Sequence, residues 1–72
     1  MRYYIFSIKD NTIDKLQKAI SGNGKDYEYY KKSSESENIY SKITNGKITE
    51  IVCEAVDEKS AEKAINKFLS DL

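Results

Sequence analysis

Ile39-Tyr40-Ser41-Lys42-Ile43-Thr44-Asn45-Gly46-Lys47-Ile48-Thr49-Glu50-Ile51-Val52-Cys53-Glu54-Ala55-Val56 is the stretch whose reading decides the fold. Asn45-Gly46 is the dipeptide that best tolerates the two positive φ angles of a type I′ turn, and β-branched residues flank it on both sides. A two-residue loop fixes the register of the hairpin it closes: Thr44 faces Lys47, Ile43 faces Ile48, Tyr40 faces Ile51 and Ile39 faces Val52. Successive side chains point to opposite faces, so Tyr40, Lys42, Thr49, Ile51, Cys53 and Ala55 share one side. Ile39, Ser41, Ile43, Ile48, Glu50, Val52, Glu54 and Val56 share the other. The Ile51/Cys53/Ala55 side is assigned to helices, because small and medium side chains admit a helix closely and burying Glu50 and Glu54 unpaired would be costly. Ile39, Ile43, Ile48, Val52 and Val56 are then left as an aliphatic patch on the far side.

Outward from the hairpin, the period changes at Asp57. This residue reads as an N-cap, and Ala61, Ala64, Ile65, Phe68, Leu69 and Leu72 recur at helical spacing as a stripe that packs on the sheet. Before the hairpin, Ser33 to Asn38 has no apolar residue and reads as a solvated loop, while Asp26 to Lys32 alternates as a half-buried strand. The chain opens on Arg2 to Ile8, apolar on both faces as an interior strand would be. Between these strands Asn11 reads as a second N-cap, Ile13, Leu16 and Ile20 fall at helical spacing, and Gly22 supplies a stop, which predicts a helix over 12–21. The expectation is a single α+β domain over 1–72 with the order β-α-β-β-β-α. Its four-stranded sheet would carry both helices on one face, and the first helix would connect a parallel pair of strands.

The 72 residues include 12 Lys+Arg, 12 Asp+Glu, no His and one Cys, and the apolar share of 39% suits a folded domain. A chain of this length buries only about 60% of the surface that unfolding exposes, so association is one way to add to its core. One Cys forms no internal disulfide, and without His a zinc site lacks its nitrogen ligands. General acid–base work at neutral pH would fall to carboxylates or lysines with heavily shifted pKa values. No metal, no cofactor and no enzymatic activity are therefore expected. Cys53 has no adjacent base and a carboxylate beside it, which makes it a packed thiol rather than a nucleophile. Zero net charge gives no overall steering toward phosphate or an anionic membrane. The apolar opening from Tyr3 to Ile8 is too short for a signal-peptide core or a bilayer span of ~20 residues, so a cytoplasmic location is expected.

Lys59, Lys63 and Lys67 recur at i, i+4 and i+8 on the side of the last helix away from its apolar stripe. With Lys31 and Lys32 they form a candidate nucleic-acid contact. From Tyr27 to Leu69 the chain resembles a double-stranded-RNA-binding domain: Tyr27-Glu28-Tyr29 enters a strand, Asn45-Gly46 makes a turn, and Asp57-Glu58-Lys59-Ser60-Ala61-Glu62 opens the last helix. That resemblance implies phosphate contacts from Lys59; Glu58 and Glu62 stand where the family's pattern has lysines. With the first strand included, the element order is similar to the N-terminal domain of ribosome hibernation factors, whose closing strand, Asp and apolar-striped helix resemble Ile51 to Leu72. The Asn, Ile, Lys, Tyr and Ser bias, with no Pro, resembles small proteins of AT-rich bacteria and their prophages.

Six of the eight aromatic residues are Tyr, a side chain that offers large contact area with a polar tip. Tyr4 and Tyr30 are read as facing a partner, and with Ile39, Ile43, Ile48, Val52 and Val56 they make up the candidate interface. These residues point to a small non-enzymatic protein-binding module that self-associates as a two-fold homodimer, through its sheet face or a strand edge. RNA binding through the lysine face is the alternative.

Overall fold

A strand that is apolar on both faces must be paired at both edges and covered on both sides, and Arg2–Lys9 meets that demand. The computed structural model describes residues 2–21, 31–32 and 39–72, with the backbone alone at 31–32. Among these the elements are β1 (Arg2–Lys9), β2 (Thr12–Ile20), β3 (Lys31–Lys32), β4 (Ile39–Thr44), β5 (Lys47–Ala55) and α1 (Glu58–Ser70). Four strands form the body of an antiparallel sheet, and the two residues of β3 extend it in the order β2-β1-β5-β4-β3. The protein is α+β with one C-terminal helix among the described residues.

The helix expected over 12–21 is a strand, and the parallel pair built around it does not form; β1 and β2 make an antiparallel hairpin instead. Asp10 and Asn11 both have positive φ, 53° and 59°, so they form a two-residue turn of the I′ kind rather than a helix cap. The helical spacing of Ile13 and Leu16 has a physical origin in β-bulges. Ile8 pairs with Ile13 and Ser7 with Lys15, which leaves Asp14 extra; Ile5 pairs with Lys18 and Phe6 with Leu16, which leaves Gln17 extra. Each extra residue lengthens the spacing of one face from two to three. Ile13, Leu16 and Ala19 thereby reach the same core as Tyr4, Phe6 and Ile8 from a strand. Gly22 and the strand expected from Asp26 lie outside the described residues, apart from Lys31 and Lys32, as does the loop Ser33 to Asn38.

The β4–β5 hairpin turns at Asn45-Gly46, with φ of 53° and 78°, and its first two pairs, Thr44 with Lys47 and Ile43 with Ile48, are those expected. A third bulge, at Thr49, then moves the register by one, so that Lys42 pairs with Glu50, Tyr40 with Val52 and Ile39 with Cys53. Thr49 Oγ1 donates to the Lys42 carbonyl at 3.3 Å, and Lys42 Nζ lies 3.6 Å from Glu50 Oε2. Because of this shift Ile39 and Ser41 stand on the helix side with Ile51 and Cys53, while Tyr40 goes to the other face with Val52. The expected grouping of these side chains is corrected accordingly.

The Ile51/Cys53/Ala55 face does receive the helix. Asp57 caps α1 by accepting the Ser60 N–H at 2.8 Å, which holds its carboxyl below the usual range. Ala61, Ile65 and Leu69 then pack into a core with Tyr4, Phe6, Ile8, Ile39, Ile51, Cys53 and Ala55. A second buried cluster, Tyr3, Ile5 and Val52, lies on the opposite face, with Ile20 and Tyr40 against it. Ser41 is enclosed on the helix side, and its Oγ has no hydrogen-bond partner among the described residues.

Two outcomes follow from this architecture. Asn11→Gly should leave stability unchanged or raise it, whereas Asn11→Ser, a good helix cap but a poor occupant of positive φ, should lower it by about 1 kcal/mol in urea unfolding; an undiminished Ser variant would contradict the turn. Ser41→Ala removes an unsatisfied buried hydroxyl, so its midpoint should match or exceed that of the parent, with a gain of up to about 1 kcal/mol.

Candidate functional site

The two type I′ turns and the chain beyond α1 converge at one end of the sheet. Because β1 runs antiparallel to β5, the Lys9 end of β1 lies beside the start of β5. Because α1 returns along the sheet, Leu72 comes back to the same place. Between them lies a groove of about 690 Å³, lined by Ile8 through Asn11, by Ile43, by Gly46 through Thr49 and by Leu72. Its aliphatic part comprises Ile8, Ile43, Ile48 and Leu72, and two of these are large apolar side chains left open to water, Ile43 at 52% and Leu72 at 66% exposure. Gly46, at a φ of 78°, has open space where a side chain would stand. Lys9, Lys47 and Asp10 supply the charges of the lining.

The candidate interface residues do not form one patch. Ile39 and Tyr4 are buried in the helix-side core and Ile48 packs partly against it; Val52 is buried in the second cluster, and Tyr30 lies outside the described residues. Val56 is exposed at the opposite end of β5, just before α1. Of the described candidates, Ile43 and Ile48 line the groove. Leu72, read in the sequence as part of the helix stripe, joins them because α1 ends at Ser70 and frees it from the core. The lysine and turn residues of the lining were missed. Their signal was the second two-residue turn at Asp10-Asn11, which sets both hairpin tips at one end.

Lys59, Lys63 and Lys67 are exposed on α1 and have no ion pair among the described residues. The helix packs on β5 and β2, on the other side of β4 from β3, so Lys31 and Lys32 are not brought beside them.

Cys53 is enclosed on the helix side, where burial, and secondarily Glu54, push its thiol up to about 11. Burial also raises Tyr3 above its ordinary value, with Glu54, which accepts a hydrogen bond from its hydroxyl, as the next cause. Among the described residues no group of three His, Cys, Asp or Glu side chains is placed to hold a metal ion, and no helix is long and apolar enough to cross a membrane. No family model, curated protein or solved structure matches this chain.

The thiol has a measurable consequence. A folded-state pKa raised from 9.0 to about 11 means that the native state holds this proton more tightly than the unfolded state. The associated stability is complete below pH 9 and lost as pH rises toward 11. Cys53→Ala should therefore show a shallower fall in stability over that window, in which Tyr3, also raised by burial, contributes in the same direction. Native Cys53 should also resist thiol reagents at pH 8 and react at the unfolding rate; rapid labelling in the folded state would contradict its enclosure.

Proposed function

We propose that this chain is a non-enzymatic protein-binding module that self-associates through the end of its sheet. The observation that carries this reading is the groove in which Ile43 and Leu72 stay exposed beside the partly buried Ile48. Exposed aliphatic side chains gathered in a concave site favour contact with another protein surface over contact with water. The other surfaces considered from the sequence are less suited. Tyr3, Ile5 and Val52 are already buried on the sheet face away from α1, with Val52 at 0% exposure. β2, which among the described residues pairs with β1 alone, carries two bulges within nine residues, together with Lys15 and Lys18, features that oppose the addition of another strand. The non-enzymatic part rests on the enclosed thiol and on a chain without His.

A second reading is RNA binding by α1, favoured by the exposure of Lys59, Lys63 and Lys67 in one row. Salt-sensitive retention on immobilised RNA, reduced by replacing all three with Glu, would support it.

Light scattering from low micromolar to near millimolar concentration separates these readings. A mass rising toward the dimer, and falling back in Ile43→Glu, is the expected result. A strict monomer at every concentration overturns self-association and sends the inquiry to nucleic acids.

A further inference from the structure

The groove is self-complementary in charge as well as apolar. Lys9 and Lys47 belong to its lining, and neither forms an ion pair among the described residues. Leu72, which also lines it, follows Asp71, another exposed side chain without an ion pair among the described residues. The Asp71 N–H is held by the Lys67 and Phe68 carbonyls at 3.1 and 3.3 Å, and the Leu72 N–H by the Leu69 carbonyl at 3.4 Å, so the last turn of α1 fixes the backbone of both residues. Leu72 thus lines a groove that has an aliphatic part and two cations, and the residue before it is an exposed carboxylate. Leu72 is 66% exposed, so it does not fill its own groove. A two-fold contact requires each surface to complement itself. Lys9, Lys47 and Asp10 on the lining, with Asp71 beside Leu72 in the chain, supply both signs of charge for such a contact.

We propose that two copies of the chain pair about a two-fold axis at this end, each seating Leu72 in the other's groove and setting its Asp71 carboxylate against the partner's Lys9 and Lys47. The proposal rests on the self-association reading and specifies its geometry. Each ion pair occurs twice per dimer, so reversing one charge acts twice.

Sedimentation equilibrium at low salt on the full chain tests this with Lys47→Glu, Asp71→Lys and the two combined. Each single reversal should weaken dimerisation about tenfold, and the combination should recover most of that loss. Leu72→Ala lies beyond the last helical residue and should weaken the dimer with an unchanged thermal melt, which guards against a charge variant that fails to fold. A wild-type dimer whose constant is unmoved by the single reversals, or a double variant no better than either single one, overturns the exchange of Leu72 and leaves self-association standing. A wild type that stays monomeric overturns both.

Discussion

The pairing of β1 with β5 is the constraint on which the rest of the structure depends. Arg2 to Ser7 run against Ala55 to Glu50, and this ladder joins two hairpins that would otherwise be separate. A lone hairpin is marginal in water, because two strands cannot cover an apolar face. Joined, they place Tyr4, Phe6 and Ile8 beside Ile51, Cys53 and Ala55 as a floor for α1. The same ladder brings Ile5 against Val52 on the opposite face. The run Tyr3-Tyr4-Ile5-Phe6 shows no polar alternation because neither face of β1 meets water.

How much of this was legible depended on whether the strands kept an unbroken period. The β4–β5 hairpin, the Asp57 cap, α1 and the helix-facing assignment of Ile51, Cys53 and Ala55 could all be read, since turn chemistry and a 3.6-residue stripe are local signals. β2 could not, because bulges at Asp14 and Gln17 convert a strand's spacing into one that mimics a helix. The bulge at Thr49 had the same origin and a different effect: it exchanged the faces of Ile39 and Tyr40 and so dismantled the expected aliphatic patch. Asp10-Asn11 was the clue that outweighed the periodicity, since both residue types tolerate positive φ and no residue separates the two strands beyond them.

The groove was less legible than the fold. Its lining comes from three separated segments, and only their meeting at one end, set by the antiparallel order and the return of α1, makes a site of them. Ile43 and Ile48 were read as exposed from the hairpin pattern, and Ile43 is. Leu72 was read as core because it continues the helical stripe, yet a stripe buries only what the helix carries, and α1 stops at Ser70. The lysines of α1 were legible as a row because a helix surface is fully determined by spacing.

The β1–β5 ladder also has a kinetic meaning. Each type I′ hairpin joins residues close in sequence and forms within microseconds, whereas Ser7 meets Glu50 only after a loop of roughly forty residues closes. The entropy of that closure falls on a single event, and α1 has no finished floor to pack on before it. The expected order is therefore two local pieces forming first, with their docking setting the folding rate. The side chains that decide that rate are those of the central seam, Phe6 and Ile5 with Ile51 and Val52, rather than those of either turn.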